Sequence, residues 1–230
     1  AFLMSAGLPL PKQVFGHGFL LSRGEKMSKS LGNVVDPIQL AELFGVDALR
    51  YFLLREVSFG QDGSYSPEAI VTRVNADLTN SFGNLAQRTL SLIFKNCEGY
   101  LPAIRGHHGD DIALLDLVGA TVSHHIPAHY EDLAMSQGLE SWMQAVFACN
   151  AYVDVQAPWA LKKTDPERME TVLATLFICI AQLAIAALPI IPGSATKLLD
   201  QMGVPVDVRN FKDAGSHWYS ALAESNFQIA

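Results

Sequence analysis

The chain has 230 residues, half of them hydrophobic and 17% charged, which excludes a disordered polymer and supplies a sizeable core for one or two domains. Divided after Arg55, the formal net charge of −7 separates into +2 (six Lys/Arg, four Asp/Glu) and −9 (ten and nineteen), so the second part has no broad positive field and any RNA contact there rests on a few side chains. Three distant cysteines, Cys97, Cys149 and Cys179, with no Cys-x-x-Cys pair, argue against a disulfide framework and a zinc knuckle and fit a reducing, cytoplasmic setting.

In chain order, Ala1-Phe2-Leu3-Met4 has no charged leader ahead of an apolar stretch, so no signal peptide is expected and the chain reads as starting mid-structure. Pro9 and Pro11 mark a connector, and the apolar, aromatic run Gln13 to Leu21 predicts a buried strand whose end delivers the basic loop Lys26-Met27-Ser28-Lys29-Ser30. His17 falls within that strand and reads as a core or edge histidine. A short helix is expected from Ile38 to Phe44, closed by Gly45, and a second from about Val46 to Glu56 with Arg50 and Arg55 projecting from an apolar frame. The glycine-rich segment 58–65 predicts a turn, a short edge strand and a domain boundary.

From Ser66 the pattern turns to long helical periods. Ser66 as N-cap, Pro67 at N1 and Glu68 in the first turn open a helix running to about Asn96. After a loop over Gly99 to Asp110, helices are expected at about Asp111–Tyr130, Leu133–Ala157, Pro166–Leu188 and Ser194–Met202, giving an antiparallel bundle; the tail from Gly203 carries no clear pattern. The run Thr171 to Ile191 holds no charge and is long enough to cross a bilayer. Gln182 within it and the absence of a lysine cluster at either flank favour the central helix of a bundle, with no membrane partner. His124, His125 and His129 include an i, i+4 pair, but no third ligand accompanies them and a solvated face is expected; His107 and His108 lie in a loop.

Two lysines alternating with two hydroxyls, between Gly24 and Gly32, suit a polyphosphate: ammonium groups neutralise charge and hydroxyls add hydrogen bonds. Lysines so placed, Lys26 and Lys29, can neutralise polyphosphate charge, most effectively where it builds up in a transition state. Ser28 and Ser30 either donate to phosphate oxygens or cap the following turn. The loop is unaccompanied by a nucleophile, a metal-ligand set or a general-base pair, which suits adenylate formation, where a substrate carboxylate attacks ATP and the protein positions and neutralises.

Asn84 and Arg88, four apart on the long helix, share a face and combine an amide with a guanidinium; they read either as a solvated surface or as a pair able to bond the Watson–Crick edges of splayed-out bases. In Asn150 to Trp159 one helix ends and Pro158 starts a new turn. Trp159 directly after that proline is either a core anchor or an outward ring for base stacking.

The stretches GEKMSKSLGNVVDP, DALRYFLLRE, RVNADLTNSFGNLAQR and YVDVQAPW, in that order, resemble the methionyl-tRNA synthetases over nearly the whole chain. The five-residue loop is common to several synthetases with a Rossmann-type catalytic domain, whereas NLAQR and QAPW are more specific to the methionine family. The resemblance implies a mainly α fold: the end of a Rossmann-type α/β catalytic domain (1–32), a stem-contact connection (33–65) and an antiparallel helical anticodon-binding domain (66–230). It implies ATP, with Mg2+, bound by Lys26, Met27, Ser28, Lys29 and Ser30, with Lys29 and Lys26 acting in catalysis, and a CAU anticodon of tRNA(Met) met by Asn84, Arg88 and Trp159, with Asn150 on the same surface. Asp154, one turn before Trp159, reads as a group that repels wrongly shaped backbones.

The family's His-x-Gly-His adenine motif, methionine pocket and zinc knuckle, all upstream of the basic loop, have no counterpart here, and the family continues beyond the position of Ala230. This chain alone is therefore not expected to make methionyl-adenylate; methionine and ATP would be handled with the missing upstream half. Two other readings remain: another synthetase of the class, for cysteine, valine, leucine or isoleucine, and a tRNA-binding module without catalysis.

Overall fold

The computed structural model describes residues 2–215 and 217–229; Ala1, Ser216 and Ala230, which fall within the sequence ranges 1–32 and 66–230, lie outside the described residues. A one-turn helix α1 (Phe2–Ser5) precedes an irregular segment. Strands β1 (Leu20–Ser22) and β2 (Glu25–Lys26) form an antiparallel hairpin, and β1 pairs in parallel with β3 (Gly63–Tyr65), giving the order β2-β1-β3. The strand expected over Gln13 to Leu21 is thus confined to its last residues. Val14 is 86% exposed, and only Leu21 and Ser22 find partners on both sides, Leu20 pairing with Gly63 alone. Apolar composition makes a strand only where a neighbouring backbone accepts and donates along its length. His17 is correspondingly exposed, neither core nor edge, with Nδ1 2.8 Å from the Gly18 carbonyl.

Helices α2 (Pro37–Phe44) and α3 (Val46–Glu56) follow, α2 capped by the Asp36 side chain on the Ile38 N–H at 2.8 Å. One continuous helical rod then comprises α4 (Pro67–Val74), a π-helical stretch (Asn75–Gly83) and α5 (Asn84–Asn96), with Ser66 capping the Ala69 N–H as expected. A second rod comprises α6 (Gly109–Ala120), another π-helical stretch (Thr121–His125) and α7 (Ile126–Glu131). The remainder is α8 (Met135–Gln156), α9 (Pro158–Thr164), α10 (Pro166–Ala187), α11 (Pro192–Gln201), a 3₁₀ turn (Val206–Val208) and α12 (His217–Glu224). The fold is mainly α, a helical bundle with a small sheet at one end. The tail, which had no readable pattern, supplies Trp218 and Tyr219, whose rings pack on Phe177 of α10.

The bundle is built around α10. This is the one helix among the described residues long and apolar enough to cross a membrane, and 94% of its most apolar window is buried inside the protein, so it is a core helix. Its neighbours are α5, α6, α8, α9 and α11. Burial of so apolar a helix on all sides is the main hydrophobic contribution to this fold.

Helix α3 is a wall shared by two cores. Tyr51 enters the main core, its ring edge-on to Trp142, while Phe52 packs with Tyr65 and Ile70 in a small cluster beneath the sheet. Polar bonds fasten the same helix to the bundle. Arg50 donates to the carbonyls of Ile190 (3.0 Å) and Pro189 (2.5 Å), and Asp47 accepts from the Ser194 N–H (2.6 Å), the Gly193 N–H (3.2 Å) and the Ser194 hydroxyl (2.7 Å). Asp47 thereby caps the first turn of α11, although it is 146 residues away from Gly193 in sequence. We expect Asp47→Ala to cost about 0.5–2 kcal/mol in urea unfolding, the range for loss of a capping side chain; a change below about 0.3 kcal/mol would show the cap to be dispensable. At the other end of α3, Arg55 pairs with Glu140 and lies 3.7 Å from the buried Asp77, which accepts a 2.8 Å bond from the Tyr51 hydroxyl.

Candidate functional site

Two groups of side chains stand out, one on the basic loop and one on the bundle. Contrary to expectation, the loop does not leave directly from the end of the strand in the Gln13 to Leu21 run. A hairpin intervenes, with Arg23 and Gly24 both at positive φ (50° and 83°), so Lys26 is the last residue of β2. Past it the chain forms a single 3₁₀ turn, Lys29–Leu31, closed by Gly32 at φ 65°, a left-handed conformation that glycine adopts without steric cost. Ser28 caps this turn, its Oγ accepting from the Leu31 N–H at 3.2 Å and lying 3.0 Å from the Ser30 hydroxyl. Of the two roles open to these serines, Ser28 displays the capping one.

Asn33 braces the loop from behind. Its Oδ1 accepts from the Ser28 N–H (2.8 Å) and its Nδ2 donates to the Lys26 carbonyl (3.2 Å). Sequence reasoning did not single out Asn33; its signal is the adjoining Gly32, since Gly-Asn pairs mark turns held by an amide side chain. Met27 is half-buried, Lys29 and Lys26 are exposed, and the Lys26 ammonium sits 4.3 Å above the ring of Phe19. Neither lysine has an ion-pair partner among the described residues. The loop therefore presents two uncompensated positive charges on a braced backbone.

On the bundle, Arg88 of α5 and Trp159 of α9 meet across an inter-helix gap, the guanidinium carbon 5.5 Å from the indole centroid. Trp159 is 47% exposed, so its ring faces outward and is not a core anchor. Asp154 of α8 holds the same guanidinium, accepting from it at 3.2 Å. Asp154 therefore acts on Arg88 within the protein, a direct electrostatic role that the sequence reading had not assigned to it. Asn84 lies one helical turn before Arg88 and is exposed. Asn150 is half-buried; its amide nitrogen donates to the Val146 carbonyl (3.0 Å) and to the Ser81 carbonyl (3.4 Å), so its donors tie α8 to the rod ahead of Asn84. Arg88, Asp154 and Trp159 are thus brought into direct contact, with Asn84 and Asn150 flanking them.

The exposed ring of Phe147, 52% accessible and one turn before Asn150 and Ala151, extends the apolar part of this α8 surface. A cleft of about 1000 Å³ coincides with neither group: it lies between the α2–α3 junction, the rod from Leu78 to Lys95, and α11. The half-exposed indole beside the guanidinium is suited to stacking and edge contacts with bases. His124 and His125 are exposed, and among the described residues no three His, Cys, Asp or Glu side chains come together as a metal-binding set.

Comparison with known proteins bears on both groups. Residues 1–90 match a family model described as tRNA synthetases class I (M), and residues 110–228 match one described as the anticodon binding domain of methionyl tRNA ligase. A methionine–tRNA ligase of Mesorhizobium japonicum is 56% identical over 216 residues, covering 92% of this chain and 41% of that protein. One from Mycobacterium tuberculosis is 48% identical over 219 residues, covering 94% of this chain and 42% of the relative. Among solved structures, Mycobacterium tuberculosis methionyl-tRNA synthetase in complex with methionyl-adenylate superposes with a TM-score of 0.87 at 47% identity, over 93% of this chain and 43% of that one. The chain thus spans about two-fifths of the length of the relatives it matches.

Proposed function

The chain belongs to the methionyl-tRNA synthetase family, and we propose that it works as the carboxy-terminal part of a methionine–tRNA ligase, closing on ATP with its basic loop and reading the CAU anticodon of tRNA(Met) on its bundle. In this reading ATP, accompanied by Mg2+, and methionine are the substrates of the whole enzyme, and the methionyl group passes from the adenylate to tRNA. Residues 1–32 complete the catalytic domain, 33–65 connect it to the bundle, and 66–230 bind the anticodon, in a cytoplasmic setting that three free cysteines support.

The observation that carries the reading is the Arg88–Trp159 pair held by Asp154. One face of the indole lies against a cation. The exposed remainder offers an unpaired base a stacking surface, and the guanidinium beside it supplies donors to a base edge. Asn84, one turn away, adds an amide with both donor and acceptor. With a net charge of −9 after Arg55, such local contacts, and not a broad positive surface, carry the specificity.

In the intact parent protein, Trp159→Ala is expected to weaken binding of a CAU anticodon stem-loop by about 10- to 100-fold, within the 1–3 kcal/mol found for loss of one base–aromatic stack. Binding of a plain RNA duplex of the same length should change little. Equal loss on both would make Trp159 a structural residue and remove the anticodon assignment.

A further inference from the structure

Trp159 sits on a short excursion from the bundle, and both feet of that excursion are fastened by one polar network. Helix α8 ends at Gln156, α9 covers seven residues, and α10 begins at Pro166. The Gln156 side chain accepts from the Arg168 guanidinium at 2.8 Å and donates to Asp110 at 3.1 Å. Arg168, on the first turn of α10, grips Asp111 through two bonds of 2.5 and 2.7 Å. Asp111 is fully buried and also accepts from the Tyr152 hydroxyl of α8 and from the His108 N–H at 2.8 Å. The residue entering α9 and a residue leaving it are thus bonded to each other and to the start of α6.

The turn between those feet is a strained one. Ala157 is held at φ 44° and ψ 59°, a left-handed conformation in which a Cβ is sterically unfavourable. Such a conformation persists only where the surroundings over-determine it. Here the Ala157 N–H bonds the Val153 carbonyl (3.0 Å), its carbonyl accepts from Ala160 (2.8 Å), and Pro158 is buried. Two residues after the strained position, Trp159 emerges toward Arg88.

We infer that Gln156, Arg168 and Asp111 are positioning residues for anticodon recognition: their network fixes the left-handed turn at Ala157 and so sets the plane of Trp159 against Arg88 before RNA arrives. This deepens the anticodon reading and rests on it. The ligand is the same single-stranded CAU loop, and the gain lies in an indole already ordered before binding, which reduces the ordering cost of association. Gln156 is the member to test, because it is half-buried and its removal leaves the Arg168–Asp111 pair intact.

The experiment uses the intact parent protein labelled with 5-fluorotryptophan, in which the fluorine resonance of Trp159 is identified by its loss in Trp159→Ala, and a CAU stem-loop as the probe. Gln156→Ala is expected to shift or broaden the Trp159 resonance, leave those of the buried Trp142 and Trp218 in place, and lower stem-loop affinity about five- to twentyfold. Ala157→Gly, which relieves the strained turn, is expected to unfold at the same temperature or a higher one and yet to bind less tightly. A purely structural role predicts the opposite for Ala157→Gly: binding that follows stability. If Trp159→Ala weakens binding while Gln156→Ala and Ala157→Gly bind as the unaltered protein does, the inference is overturned and the anticodon reading stands. If Trp159→Ala itself binds normally, the anticodon reading fails and the inference falls with it.

Discussion

A Lys29→Ala change in the intact enzyme is expected to slow adenylate formation by about a hundred- to a thousandfold, the magnitude seen when one preorganised charge-stabilising donor is lost. Ser28 and Gly32 cap the two ends of a three-residue 3₁₀ turn, and Asn33 bonds both Ser28 and Lys26, so Lys29 projects from a braced point. Its side chain is exposed and has no carboxylate partner among the described residues, so no internal salt bridge must break before it meets a phosphate. In the proposed reaction charge accumulates on the departing pyrophosphate, and an ammonium there would stabilise the transition state more than the ground state. The loss should therefore fall on kcat for methionine-dependent pyrophosphate exchange, with a smaller change in KM for ATP. Lys26, whose ammonium rests over Phe19, should show a milder loss that appears mainly in KM. A Lys29→Ala enzyme within fivefold of the unaltered rate would remove the loop from catalysis and leave a tRNA-binding module.

Asp111→Ala should destabilise the bundle by about 3–5 kcal/mol, the cost of stranding a buried partner charge. Asp111 is fully buried and Arg168 is 8% exposed, so deletion of the carboxylate leaves a largely buried guanidinium with only the neutral Gln156 acceptor beside it. Replacing both residues with apolar ones of similar volume should cost far less, because the penalty arises from the unpaired charge and not from absence of the pair. Urea unfolding of the three variants decides the point. A loss below about 1 kcal/mol for Asp111→Ala would mean that water reaches Arg168.

The same carboxyl carries a pH dependence. Burial alone raises its pKa, but bonds from Arg168, the Tyr152 hydroxyl and the His108 N–H outweigh burial and hold it at about 2, below the ordinary carboxylate value. A group whose pKa is depressed on folding contributes stability that is present above its unfolded value and is lost as pH falls through the folded one. The contribution from Asp111 should thus be complete above about pH 4 and fade between roughly 4 and 2. Asp111→Asn should abolish that part of the acid limb.

Much of this protein is legible in the order of its residues. Ser66-Pro67-Glu68 sets the start of the long rod, because cap, proline and first-turn acid act within one turn of chain. The uncharged run from Thr171 marks the central helix, and the basic loop with its flanking glycines is a local pattern with local chemistry. Each of these depends on neighbours a few residues apart, and such interactions are written in the sequence itself.

Other features come only from packing. The apolar run Gln13 to Leu21 becomes strand only at Leu20 and Leu21, because strand pairing needs a second backbone that sequence does not place. Asp47 capping a helix at Ser194, Arg168 bridging Asp111 and Gln156, and Asp154 holding Arg88 join residues between 12 and 147 positions apart. Arg88 and Trp159 are each visible as candidates in sequence, but their stacking is not, since it depends on how three helices and a left-handed turn bring them together. Local spacing fixes which chemical groups are present and on which element; their distance and orientation follow from burial of apolar faces around α10, a collective property of the folded chain.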